Sequence, residues 1–277
     1  MSKNWQRACT TRLYVHPPKS ERVYTLWREG KLCFGENENP ITDYLAQISS
    51  AMWFVDGDGE QLDFRSAEFV MQPDGIPVHG IINRVGHLQV ALETFAVAER
   101  CSTCYVKLTL INRSDSPVED RFGFVPRTAQ EKKLLFDAPD NYGIYAPKLD
   151  DWMDIPASWT QEGSVFRDGE RTIKTWGDLN FVLEECSGFA FAEFTLAPGE
   201  SCEAIFAYNI GEFAFGDYDA EREKVMQFWE RELTRVNALP ERIAKDPEMV
   251  RLIKNLIVHI LQCFCYSKGD DYLLSRQ

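Results

Sequence analysis

The residue types best suited to holding a ligand fall between positions 136 and 159. Tyr142, Tyr145, Trp152 and Trp159 bring flat apolar faces, and Asp150, Asp151 and Asp154 place acceptors among them. A sugar ring stacks its C–H face on an aromatic and donates its hydroxyls to carboxylates, so the mixture suits a saccharide. It suits a domain interface, or packing of the stretch onto its own domain, equally well. A structureless stretch of this length is uncommon in a compact domain and is usually functional or disordered.

Other groups with chemical potential are weaker candidates. Glycoside cleavage needs two carboxyl groups across one bond, and the adjacent pairs are Asp150-Asp151, Glu184-Glu185 and Asp270-Asp271. Neighbours on a strand point to opposite faces, so Glu184-Glu185 cannot form such a pair by itself. Asp56, Asp58 and Glu60 imitate the start of a calcium loop, but Gln61 and Ala67 stand where that loop requires Gly and Glu. A hairpin turn is the better reading. His16, His79, His87 and His259 are scattered, and no G-x-S-x-G or phosphate-cradling glycine loop is present. Cys101 and Cys104 form one C-x-x-C with no second cluster to complete a zinc site. That pair leads into a strand, where a thioredoxin-like pair would open a helix. No cofactor or metal is expected.

The elements that must carry these residues read as β-rich from about 10 to 210. Val106, Leu108 and Leu110 alternate with Tyr105, Lys107 and Thr109, as do Leu88, Val90 and Leu92 with Gln89, Ala91 and Glu93. A strand at Glu119–Val125 places Phe122 and Phe124 on one face. Two hairpins are predicted, one around Asp56–Gly59 and one joining Phe189–Leu196 to Cys202–Tyr208 through Ala197-Pro198-Gly199-Glu200. The whole predicts a mostly β chain, a large antiparallel β-sandwich over 1–210.

From 211 to 277 the pattern becomes a linker and two helices. Asp219 is the predicted N-cap of the first, which runs to about Val236 with Val225, Phe228, Trp229 and Leu233 on one face. Asp246 caps the second, with Pro247 at its first position. Ten apolar positions between Met249 and Phe264 predict burial over much of its circumference. Covering them is worth about 15–25 kcal/mol as an upper bound. One helix and one side of a sandwich supply only part of that cover. The final phrase, Tyr272–Gln277, reads as cut short, so the chain is expected to be a fragment or to dock its helices on another copy or another protein.

Bulk properties narrow the partners. The 277 residues carry a formal charge of −13 with 44% apolar content, so nucleic acid and anionic membranes are excluded as favoured partners and neutral ligands are not. The first residues lack the apolar core of a secretory leader, and no run approaches a membrane span, so a cytoplasmic location is expected.

Three phrases carry a family resemblance: Val78-His79-Gly80-Ile81-Ile82-Asn83-Arg84, Tyr105–Pro117 ending in Asn-Arg-Ser-Asp-Ser-Pro, and Phe194–Glu200. With the element order, they resemble the N-terminal half of (α/α)6-barrel glycoside hydrolases and phosphorylases, which begin with a galactose-mutarotase-like supersandwich. Tyr272–Gln277 looks like the opening of the barrel. The resemblance implies a non-catalytic domain whose acid and base lie in a barrel that this chain lacks. Its partner is then a carbohydrate or a catalytic (α/α)6 domain, with 136–159 as the loop nearest the substrate. Two rivals remain: a stand-alone carbohydrate-binding or interaction module, which forms a homo-oligomer through its helices, and an aldose-epimerase-like enzyme with His79 or His87 as acid and Glu93 as base.

Overall fold

The computed structural model describes residues 12–20, 22–27, 30–36, 48–62, 64, 67–72, 74–99, 103–128, 159–184, 187–211, 215–234, 239–262, 264–266 and 273–275. Two antiparallel sheets face each other. Sheet A contains β1 (Arg12–Tyr14), β2 (Arg22–Trp27), β3 (Leu32–Glu36), β4 (Ile48–Val55), β9 (Val118–Thr128), β14 (Phe189–Leu196) and β13 (Val182–Glu184), in that spatial order. Sheet B runs β10 (Thr160–Glu162), β11 (Val165–Asp168), β12 (Arg171–Gly177), β15 (Ser201–Ile210), β8 (Cys104–Asn112), β7 (Leu88–Ala96), β6 (His79–Val85) and β5 (Glu68–Met71). A small third sheet pairs β16 (Phe264–Tyr266) with β17 (Leu273–Ser275).

The expected sandwich is present, and alternation builds it. Phe54, Phe122, Phe124 and Phe194 of sheet A meet Val106, Leu108, Phe166 and Phe206 of sheet B in one continuous core. The out-facing alternates of sheet A, among them Trp53, Val55, Val125 and Phe191, form a second apolar cluster. On the outer face of sheet B, Phe95 stacks on Tyr105 at 5.3 Å, and α1 (Tyr218–Leu233) lays Tyr218 over both.

The Pro198-Gly199 turn forms as expected, but the hairpin around it does not. Gly199 takes φ +77°, and Glu200 N donates to Ala197 O at 3.0 Å. The flanking strands then part: β14 pairs with β9 in sheet A, and β15 pairs with β8 in sheet B. Turn chemistry fixes the reversal of the chain and says nothing about which strand each arm joins. The β8–β9 connection crosses between the sheets in the same way, and buried Asn112 ties the two crossings together. Its Nδ2 donates to Ser116 O (2.8 Å) and Leu196 O (3.0 Å), while its Oδ1 accepts from Ser114 N and Oγ.

The helices also depart in detail. The N-cap of α1 is Asp217, two residues before the predicted Asp219, and its carboxylate accepts from Ala220 N at 3.0 Å. A one-turn helix, α2 (Glu241–Ala244), was not anticipated. The second long helix, α3 (Pro247–Gln262), has the expected cap: Asp246 Oδ1 accepts from Glu248 N and Met249 N. Its predicted burial holds on one side only, where Val258 is enclosed and Ile253, Ile257 and Leu261 pack half-buried on the core. Only Asn255, Val258 and Gln262 are buried, while Met249, Leu256 and Ile260 are 41%, 51% and 56% exposed. Among the described residues no helix is long and apolar enough to cross a membrane.

Candidate functional site

The aromatic stretch leaves the sandwich at Thr128 and returns at Trp159. Tyr142, Tyr145, Asp150, Asp151 and Trp152 lie outside the described residues. The two roots converge on one carboxylate. Thr128 Oγ1 donates a short hydrogen bond to Asp168 Oδ2 across the two sheets. Thr160 pairs with Arg167, so Trp159, one residue earlier, stands opposite Asp168 in the register. Trp159 is 5% exposed and belongs to the main core. Its ring packs on its own domain and offers no face to a solvent-borne sugar. Its Nε1–H is buried without an acceptor, as is Nε of Arg171, the residue that pairs with Asp168 between β11 and β12.

The remaining sequence candidates have structural occupations. Asp56 Oδ1 accepts from Asp58 N (3.0 Å) and Glu60 N (2.9 Å), the contacts of a turn rather than of an ion site. Glu93 binds Arg222 Nε at 2.8 Å and accepts from Tyr218 Oη at 2.7 Å, which anchors α1 to β7. His79 pairs with Thr94 and Gly80 with Glu93, so His79 and Glu93 lie on opposite faces of sheet B. They do not form an acid–base pair. Burial pushes the Cys104 thiol up to about 12, and Cys101 lies outside the described residues. No three His, Cys, Asp or Glu among the described residues are grouped to hold a metal.

An open hollow of about 500 Å³ lies on the outer face of sheet A, lined by Arg121, Asn180, Val182, Glu184, Phe191 and Glu193. Its aromatic face is already taken. The Arg121 guanidinium sits 4.2 Å from the Phe191 ring centroid and is fixed by Gly57 O (2.6 Å) and Glu184 Oε1 (3.2 Å). The edge strand beside it is blocked as well: the Gln161 amide donates to Phe181 O and accepts from Leu183 N, each at 2.7 Å.

The feature that sequence reasoning missed is the seating of α3. It lies between the β1 edge of sheet A and the β5–β6 corner of sheet B, with Ile253, Ile257, Val258 and Leu261 on the core and polar anchors around them. His16 Nε2 donates to Gln262 O at 3.0 Å, and Gln262 Nε2 returns bonds to Tyr14 O and His16 O. Lys254 binds Asp74 at 2.8 Å. Asn255 packs on Gly75 so closely that a Cβ there would stand 1.7 Å from its Oδ1. His79 donates from Nε2 to Tyr14 O at 3.1 Å, and burial lowers its pKa to about 4, with His259 repelling further charge. Partial desolvation lowers His259 too. The signal was available: Asn255 and Gln262, seven apart with Val258 between them, interrupt an otherwise apolar helix on one side.

No family model matches the chain, and no curated protein sequence matches it. Solved structures do. One described as a kojibiose phosphorylase from the human microbiome aligns over 90% of this chain at 10% identity and a TM-score of 0.38. The Slr1438 protein from Synechocystis sp. PCC 6803 aligns over 73% of this chain and 98% of its own, at 12% identity and TM-score 0.38. A polysaccharide lyase aligns over 79% at 12% identity and TM-score 0.29. The chain spans 35% of the phosphorylase and 35% of the lyase. Likeness of this degree carries no inference about function.

Proposed function

We propose that this chain is a non-catalytic β-sandwich domain of a carbohydrate-active enzyme, docking through α3 on a helical catalytic body. The observation that carries the docking is the second apolar strip of α3. Ile253, Ile257, Val258 and Leu261 pack on the sandwich core beside Asn255 and Gln262, while Met249, Leu256 and Ile260 stay exposed on the other side. A helix supported only by its own domain keeps its outer face polar. An apolar strip left outside fits a partner that covers it. The carbohydrate assignment rests on the resemblance in the three sequence phrases and on the aromatic and acidic make-up of 136–159. In this reading Tyr142, Tyr145, Asp150, Asp151 and Trp152 reach toward the substrate, and Trp159 anchors the stretch in the core.

The test is to assay the purified chain alone on a panel of disaccharides, with and without phosphate, and to measure glycan retention beside Trp152→Ala. No turnover is expected, together with weak retention that Trp152→Ala removes. Turnover by the chain alone would sink the non-catalytic assignment, and retention unchanged in Trp152→Ala would sink the role of the stretch. The exposed stripe also fits a stand-alone module that pairs with itself. A discrete, concentration-dependent dimer in light scattering would favour that alternative over docking on a separate body.

A further inference from the structure

We propose that the row Trp159–Asp168–Arg171, on the inner face of sheet B, is a saccharide-binding site that holds ring hydroxyls by hydrogen bonds rather than by stacking. It rests on the carbohydrate reading above and gives that reading a place in the fold. Register builds the row. Trp159 stands opposite Asp168 on β11, and Asp168 pairs with Arg171 on β12. Directly opposed residues share a face of the sheet. That face is the inner one, because Phe166 and Ile173, each two residues along the same strands, lie in the main core with Trp159. Asp168 bears this out by accepting from Thr128 Oγ1 of the opposite sheet. With strands about 4.8 Å apart, the three residues span roughly 10 Å of backbone.

The fold does not use up the polar atoms of this row. The Trp159 indole N–H is buried and has no acceptor, and Arg171 Nε–H is buried without one as well. No carboxylate pairs with the Arg171 guanidinium among the described residues. Asp168, directly across the hairpin, spends Oδ2 on Thr128 and keeps Oδ1 as a spare acceptor. Buried donors in folded proteins are nearly always met. Two unmet donors on one row, beside a carboxylate with a spare oxygen, point to bonds that a ligand completes. Thr128, Asp168 and Arg171 are half-buried and so reachable from solvent, while Trp159 is enclosed.

The set of groups selects a polyhydroxylated ligand. The Asp168 carboxylate and the Arg171 guanidinium cancel in charge, so the row offers no net attraction to an ion. Arg22 reaches the same end of the sandwich from β2, but its Nη2 donates to Ile210 O at 3.3 Å. A hydroxyl accepts through its oxygen and donates through its hydrogen. Neighbouring hydroxyls of one sugar ring therefore satisfy both N–H donors and the spare Asp168 oxygen together. A bare anion would meet the donors and be repelled by Asp168. An apolar ligand would meet none of the three and leave them buried. The Trp159 ring stays in the core throughout, and only its N–H edge takes part.

The test follows the indole N–H signals of the full chain by NMR in titrations with glucose, galactose, mannose and maltose. The Trp159 signal is assigned by its loss in Trp159→Phe, which keeps a ring in the core and removes the N–H. At least one sugar is expected to shift that signal saturably. Its affinity, followed on the Thr128 and Arg171 amides, should fall about tenfold in Trp159→Phe. It should fall further in Arg171→Gln and Asp168→Asn, because hydrogen bonds to charged groups are the stronger ones. A Trp159 signal unmoved by every sugar, or an affinity unchanged in Arg171→Gln, would overturn the site. Should Trp159→Phe fail to fold, Arg171→Gln and Asp168→Asn, both at half-buried positions, decide through the same amides. Sugar binding that survives all three substitutions and is lost in Trp152→Ala would remove this row and leave the carbohydrate reading standing.

Discussion

Gly75→Ala is expected to detach α3 while leaving the sandwich folded. Gly75 takes φ +74°, a region that costs a residue with a Cβ about 1–2 kcal/mol. That strain weakens the β5–β6 corner whether or not the helix is present. The clash is specific to docking. The new Cβ would stand 1.7 Å from Asn255 Oδ1, 2.7 Å from its Cγ and 3.1 Å from its Cα. The side-chain atoms can swing away, but the Cα moves only with the helix. Overpacking of this kind costs roughly 1–3 kcal/mol, a factor of about 5–150 in docking. Hydrogen exchange reads it directly: the 252–262 amides should lose that much protection while β8 keeps its own. Asn255→Ala, which removes the two nearest contacts, should restore part of the loss. Unchanged α3 protection in Gly75→Ala would refute the seating of the helix. Parallel loss in β8 would show that α3 is an integral part of the core.

Three further outcomes check the scaffold. Asn112→Ala strands Leu196 O, Ser116 O and Ser114 N, and should cost about 2–5 kcal/mol in denaturant unfolding; a cost below about 1 would contradict its tie between the two crossings. Trp159→Ala should lower stability by about 3–5 kcal/mol, as for other buried aromatics, whereas a sugar-stacking Trp at the surface would cost little. Cys104, with its thiol pushed up to about 12 by burial, should resist alkylation at pH 8 in the folded chain and react once it is denatured; ready modification of the native protein would reopen a redox role for the C-x-x-C.

The strands were legible because alternation is a local signal. Val106, Leu108 and Leu110 announce an inward face whatever they pack against, and they are buried as expected. Pairing was less legible. Pro198-Gly199 encodes a reversal, but the choice between a hairpin and a crossing depends on Asn112, 84 residues from Leu196. The same limit applied at α3. Its apolar positions predict a buried face, and only tertiary contacts reveal that Asn255 and Gln262 share the inner side with Ile253, Ile257, Val258 and Leu261 and leave Met249, Leu256 and Ile260 outside. At the candidate site, composition picked out 136–159. Nothing in composition marked Trp159 as a root in the core. His16 and His79 looked unremarkable because their partners are backbone carbonyls of Gln262 and Tyr14, which leave no trace in a sequence pattern.

The outward stripe of α3 is most directly tested by Leu256→Glu with Ile260→Glu, followed by light scattering over a concentration series and by thermal unfolding. Each side chain is about half exposed, at 51% and 56%, so covering it is worth roughly 1–1.5 kcal/mol. If the stripe awaits a partner, the substituted chain should keep its folding stability within about 0.5 kcal/mol and lose the tendency to associate. A fall in stability of about 2 kcal/mol or more, with association unchanged, would mean that the stripe is already covered within the monomer.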